Sequence, residues 1–192
     1  MLLLILGLAL FLGMHGFTMA RGQREMMMKR FGEGGYKGIY TLVSLLGFVL
    51  IIYGFQLYRS GGMIPVWSPP MWMGHLALLL TLPIFILLAA TNSGGRIHAA
   101  VKHPMLLAVK IWAAAHLLAN GDLGSILLFG GFLAWAVMAR ISLKRRAGVT
   151  LPAASGFTQR DWIAIGAGLV LWFVFARWLH PLLIGVAAWP GR

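Results

Sequence analysis

Residues 37–59 read KGIYTLVSLLGFVLIIYGFQLYR, with a basic residue at each end and no formal charge between them. As an α-helix the uncharged part, 38–58, is about 31 Å long at ~1.5 Å per residue. That is the ~30 Å thickness of a bilayer's hydrocarbon core, which a helix of ~20 mostly apolar residues can cross. Working outward, the same pattern recurs. The other apolar runs are 1–20, which stops at Arg21; 71–91, after Pro69 and Pro70 and before Arg96; 104–120, which contains Lys110; 123–139, between Asp122 and Arg140; and 162–186, which contains Arg177. The whole chain of 192 residues is therefore expected to be a single transmembrane domain, 1–192, an all-α bundle of about six spans.

Composition demands the same solvent. The chain is 60% hydrophobic and 10% charged, with a mean hydropathy of +0.85. A soluble domain has ~25% charged residues, so water cannot cover most of this surface. There is no cysteine, which excludes disulfides, thiolate nucleophiles, iron–sulfur clusters and cysteine zinc sites. No Ser-His-Asp set, carboxylate pair or phosphate-binding loop is present. The 1–20 run has no Lys or Arg before it, as a signal peptide's n-region would; a retained first span is expected.

The net charge of +12 does not point to nucleic acid, because the cations alternate by loop. Arg21, Arg24, Lys29, Arg30 and Lys37 follow the first run, Arg96 and Lys102 the third, and Arg140, Lys144, Arg145, Arg146 and Arg160 the fifth. Arg59, Arg177 and Arg192 fall to the other side, and Lys110 lies within a span. By the positive-inside rule the rich loops are cytoplasmic. Both termini are then expected on the outer side. Tyr58, Trp67 and Trp72 would form an outer aromatic belt, with Trp162 at the inner interface. Residues 23–31 (QREMMMKRF) read either as a short interfacial helix on anionic lipid or as a basic loop. Residues 146–155 read as a loop.

Ionisable groups at membrane depth need an account of their own. His15 and His116 are the two deep histidines. One reading is an interhelical hydrogen bond for each. The other is axial ligation of haem iron by two imidazoles from different helices. Ala113, Ala114 and Ala115 keep the second helix slim, and Trp112 and Asn120 share the His116 face. By depth, His75 competes with His15 as the partner of His116. Lys110 lies with His103 on the opposite face, where it can snorkel, pair with a polar group or hold a propionate.

The stretches LGLALFLGMHG (6–16), FGEGGYKGIYTLVSLLGFVLIIYG (31–54), VKHPMLLAVKIWAAAHLLANG (101–121) and GGFLAWAVMARISLKRR (130–146) resemble the NnrU family. That resemblance implies a protein of the bacterial inner (cytoplasmic) membrane, whose outer termini are then periplasmic, associated with denitrification, in particular nitric oxide reduction. The family is similar in turn to the zeta-carotene isomerase, a membrane enzyme carrying haem b. His15 in LGMHG and His116 in IWAAAH match that enzyme's two proposed iron ligands, and His103-Pro104 matches the start of its ligand-bearing span. Where the isomerase has a cysteine three residues before the second ligand, this chain has Ala113.

The resemblance implies haem b as cofactor. Its iron would lie on His15 and His116, with His103, Lys110, Trp112 and Asn120 as pocket or propionate contacts. The expected function is a haem-binding accessory or sensor protein of nitrogen-oxide metabolism. Its expected partners are the lipid bilayer and a membrane complex with nitric oxide reductase components. The alternatives are a haem-dependent isomerase of an apolar polyene such as zeta-carotene and, last, a small transporter, for which paired broken helices are missing.

Overall fold

The computed structural model describes residues 1–145 and 156–189. The loop expected at 146–155 and the charge of Arg192 lie outside them. The described chain is helical: α1 (Leu2–Phe17), α2 (Arg21–Ser60), α3 (Met71–Ala90), α4 (Arg96–Val101), α5 (Pro104–Ala119), α6 (Leu123–Lys144), α7 (Gln159–Val174), a π-helical turn at Phe175–Leu179, and α8 (His180–Ile184). The only strand-like pairing among the described residues is an isolated bridge between Pro65 and Asp122.

Four helices are long and apolar enough to cross a membrane: Arg21–Ser60, Met71–Ala90, Leu123–Lys144 and Gln159–Ile184. The other two apolar runs form helices that are shorter than expected, Leu2–Phe17 and Pro104–Ala119. α1 ends because the chain turns at residues 18–20 directly into α2. α5 is bounded by Pro104 at its first turn and by Asn120, whose backbone is extended (φ −128°, ψ 130°). In the other direction, α6 runs one turn past the expected 139 to Lys144, because nothing in 140–144 breaks a helix and long basic side chains can reach away from the apolar layer. The protein is an integral membrane protein built as a helical bundle.

The chain divides into two compact units: Met1–Trp67 with Asp122–Trp135, and Ser68–Gly121 with Ala136–Arg192. In the first, α1 packs on α2 through glycines. A β-carbon added at Gly7 would lie 2.6 Å from the Ile51 nitrogen, and one at Gly47 would lie 2.7 Å from the Phe11 nitrogen. One at Gly54 would collide with the backbone of Leu3 and Leu4. The helices therefore touch backbone to backbone, the arrangement that small residues permit in membranes.

The face of α2 that carries Gly47, Ile51, Gly54 and Tyr58 is buried, while Leu42, Leu45, Leu46, Val49, Ile52 and Tyr53 are exposed. Both sets recur at the three- and four-residue steps of one helix face. The small side chains are inside and the large apolar ones outside, which inverts the amphipathic helix of a soluble protein.

Residues 21–31 are helical rather than a loop, and they are set off from the rest of α2 by Gly32 (φ 70°, ψ 170°). That positive φ is open to glycine at little cost. Across the break, the Arg24 guanidinium lies 5.7 Å from the centre of the buried Tyr36 ring. At the other end of α2, Tyr58 departs from the belt expected of it. It is buried against Gly124, and its hydroxyl accepts a hydrogen bond from the Ile64 N–H at 2.9 Å. The Ile64 carbonyl in turn accepts from the Leu123 N–H at 2.9 Å, and the Asp122 carboxylate caps α6 by accepting from the Ser125 N–H at 2.9 Å. Closing the turn before α6 is what draws this tyrosine inward. Trp67, Trp72 and Trp162 are exposed.

In the second unit α3 packs on α5 and on α7. Ile84, Leu87 and Ala108 form its core, with Ile97, Val101, Leu107, Ile111 and Trp112 around them. Gly168 lets α7 approach the α3 backbone, since a β-carbon there would lie 2.6 Å from Ile86 Cα. The Trp172 indole N–H donates to Thr81 Oγ1 at 2.9 Å, a polar tie between α7 and α3 within an apolar layer.

Candidate functional site

In the first unit, His15 stands in the last turn of α1. Its Nδ1 lies 2.7 Å from the Phe11 carbonyl oxygen. A carbonyl only accepts, so in the neutral ring Nδ1 carries the proton and Nε2 holds the lone pair. The ring stacks on Phe11 (centroids 4.2 Å apart, planes at 27°), with Tyr40 at 5.4 Å and Trp135 edge-on at 5.6 Å. Phe11 also meets Phe48 and Phe132. The indole nitrogen of Trp135 and the hydroxyl of Tyr36 are buried with no hydrogen-bond partner among the described residues. Each is a group that ordinarily finds a partner when buried. His15 thus has aromatic walls and an unanswered donor beside it.

In the second unit, His116 occupies the last turn of α5. Its Nδ1 lies 2.8 Å from the Trp112 carbonyl, which fixes the same tautomer. Trp112 is beside it with ring centroids 5.3 Å apart. Asn120 closes the helix end, donating from its side-chain Nδ2 to the His116 carbonyl at 2.8 Å. Ala113, at the isomerase's cysteine position, is fully buried and offers only a methyl group. The ring of His180 stands 6.4 Å from that of His116, a neighbour that the run-by-run reading of the sequence did not anticipate.

The remaining expected residues are placed elsewhere in that unit. His103 is the N-cap residue of α5, about 20 Å along the helix from His116 at ~1.5 Å per residue. Burial first, and then repulsion from Arg140, His98 and Lys102, push its pKa below the usual imidazole value. Lys110 lies between the two histidines on α5, partly buried. His75 is exposed on α3, with Nδ1 3.2 Å from the Met71 carbonyl. His15 and His116 belong to different units.

Sequence reasoning also passed over Asp161. It is fully buried, and its carboxylate accepts four hydrogen bonds. Two come from Thr158, the backbone N–H at 2.8 Å and the hydroxyl at 2.7 Å; the others come from the backbone N–H groups of Arg96 and Ile97, both at 2.9 Å. One side chain thereby caps both α7 and α4. Burial would raise its pKa, but the four donors outweigh this and hold it well below the ordinary carboxylate range. The signal was available as Thr158-x-x-Asp161 ahead of an apolar run, a capping box with Asp in place of Glu. For His180 no such signal exists, because its tether lies across a turn.

Among the described residues no group of three His, Asp or Glu side chains gathers around a bare metal ion. Two imidazoles are too few for a tetrahedral zinc site. An iron porphyrin brings four in-plane nitrogens of its own and asks the protein only for axial ligands. Each deep histidine, taken by itself, is a side chain of that kind. Metal-bound histidines usually donate the other ring N–H to a carbonyl or carboxylate, as both do here.

No curated protein and no solved structure matches the chain. One family does, under the description NnrU protein, and it matches residues 3–188. With nearly the whole chain matched and membrane helices throughout, the protein belongs to the NnrU family.

Proposed function

We propose that this protein is a haem-b-binding membrane accessory or sensor protein of nitrogen-oxide metabolism, with His116 as an axial ligand. The observation that carries the reading is the tautomer of His116. Its Nδ1 lies 2.8 Å from the Trp112 carbonyl, the contact that a metal-bound histidine ordinarily makes with its other ring nitrogen. Haem supplies an iron centre able to bind nitric oxide, which connects such a cofactor to the pathway that the family resemblance implies. In this reading α5 positions the imidazole, Trp112 walls it, and Asn120 ends the helix immediately beyond it. The resemblance offers His15 for the other axial position, where Phe11, Tyr40 and Trp135 wall the ring. A different imidazole, His180, lies beside His116 within its own unit. The physiological setting of this proposal is the bacterial inner membrane, in a complex with nitric oxide reductase components.

The test is a visible spectrum of the protein purified in detergent after expression with ample haem. A Soret band is expected, abolished or strongly reduced in His116→Ala, with a spectral change when nitric oxide is added to the reduced form. A colourless wild-type protein overturns the proposal.

A further inference from the structure

The basic helix at residues 21–31 (RGQREMMMKRF) takes no part in the haem reading, and three of its features point to one partner. First, it is tied to the bilayer at both ends. Only residues 18–20 separate it from α1, and they form a tight turn. The Met19 N–H donates to the Gly16 carbonyl at 2.9 Å, and the Ala20 N–H donates to the Phe17 carbonyl at 3.0 Å. At its other end Gly32 kinks the helix (φ 70°, ψ 170°), and only residues 33–37 then precede the uncharged run that begins at 38. At ~1.5 Å per residue, residues 32–37 cover about 9 Å. That is close to one Debye length at physiological salt, ~8 Å. The helix is therefore held within reach of the surface potential of a charged bilayer.

Second, its charge is one-sided. Arg21, Arg24, Lys29 and Arg30 stand against the single carboxylate of Glu25. Glu33, just beyond the kink, is already paired with Lys37. Arg24 is turned to the protein, with its guanidinium over the ring of the buried Tyr36. Arg21, Lys29 and Arg30 are exposed.

Third, apolar side chains are interleaved with these cations instead of being packed away. Met26 is 65% exposed and Phe31 45%. Lys29 and Arg30 follow Met26 by three and four residues and so share its face of the helix. The Arg30 guanidinium lies 5.3 Å from the centre of the Phe31 ring. Water suits the cations and not the methionine or the phenylalanine; hydrocarbon suits the reverse. The headgroup boundary of an anionic bilayer suits both, because apolar groups dip below the phosphates while cations meet them. A soluble polyanion would meet the cations and leave Met26 in water.

We infer that residues 21–31 form a surface-bound helix that gathers anionic phospholipid, meeting its phosphate through Arg21, Lys29 and Arg30. Lipid of net negative charge is enriched at this helix. Phosphatidylcholine, whose own cation cancels its phosphate, is not. The Arg24 contact with Tyr36 and the kink at Gly32 set the position of the helix, so the enriched lipid lies at the turn between α1 and α2. The inference is independent of the haem reading and leaves it untouched if it fails.

The experiment uses the full chain carrying Gln23→Cys, an exposed position in a chain with no other cysteine. The cysteine is labelled with a fluorophore, and the protein is reconstituted into vesicles of equal parts phosphatidylcholine and phosphatidylglycerol. Bromine, a quencher, is placed near the headgroup end of the acyl chains of one lipid or of the other. Both leaflets have the same composition, so the orientation of the protein does not matter. Each cation near an anionic surface favours anionic lipid by about fivefold, so quenching by the brominated phosphatidylglycerol should be at least about twice that by the brominated phosphatidylcholine. The ratio should fall to about one in the triple variant Arg21→Gln, Lys29→Gln, Arg30→Gln. It should also fall in about 1 M salt, where the Debye length is ~3 Å; this arm carries the test if the triple variant does not fold. The variant Lys102→Gln, Lys144→Gln, Arg145→Gln removes the same charge from other segments and should keep the wild-type ratio. Equal quenching by the two lipids, no quenching by either, or a preference that survives in the first triple variant overturns the inference. So does its loss in the second, which would make the preference a property of net charge. Nuclease-sensitive nucleic acid that co-purifies with the wild type and not with the first triple variant would assign the surface to a different polyanion and overturn it too.

Discussion

At the residue scale, Asp161 shows how a single carboxylate can act as a clasp. Two of its bonds close the first turn of α7, and the other two hold the first N–H groups of α4. Those donors have no partner within their own helices, so an anion there answers both helix ends at once. Asp161→Asn keeps the shape but loses the charge and turns one acceptor into a donor. It is expected to lower Tm in detergent by about 5 °C or more, measured by thermal unfolding. The sign of the pH effect follows from the lowered folded pKa. The stabilisation is complete above the ordinary Asp value of ~3.9 and is lost as the pH falls from there through the folded value. Wild-type Tm should therefore drop steeply on acidification below about pH 4, and the Asn variant should show a shallower drop. Legibility at this scale was uneven. His15, His116, Trp112 and Asn120 stood out because polar groups in apolar runs are few. The Arg96 and Ile97 donors to Asp161 did not, since the fold brings them to it across 65 and 64 positions of sequence.

At the element scale, the helices were read well where charge bounded them and less well where only backbone geometry did. Lys37 and Arg59 bracket the apolar part of α2, and the expected 38–58 lies wholly inside that helix. The starting turn of residues 21–31, the break at Gly32 and the π-turn before α8 depend on φ and ψ, which apolar periodicity does not register. The packing of α1 on α2 makes a direct prediction. Gly47→Ala places a methyl group against the Phe11 backbone, which cannot rotate away as a side chain can. It should cost about 1–3 kcal/mol in an unfolding titration in mixed detergent. Leu45→Ala, on the exposed face of the same helix, should stay within about 0.5 kcal/mol. Equal losses from the two variants would show that the glycine contact does not hold the helices together.

At the scale of the whole molecule, the alternation of basic loops predicts sidedness, and the chain itself supplies a clean background for measuring it. It has no native cysteine, so single cysteines can be introduced one at a time. Gln23→Cys, on the basic helix, should be protected in intact cells from a maleimide that cannot cross the membrane. Met63→Cys, in the turn after α2, should be labelled. The opposite result would invert the topology. Both positions are exposed, so burial does not decide the outcome. Fold class was legible at this scale because composition alone sets the solvent; the division into two compact units was not, since α6 runs continuously from Asp122's cap into the second unit.

The inverted packing of α2 has a consequence for how such a chain can change over time. Large apolar side chains face outward, where Leu, Ile, Val and Phe are interchangeable to the surrounding lipid. The positions with no room for a larger side chain are Gly7, Gly47, Gly54 and Gly168, together with buried alanines such as Ala113 and Ala164. Mutational drift is therefore free on the bulky, chemically conspicuous residues and arrested on the smallest ones. In this protein the memory of the fold is kept by the residues with the least to show.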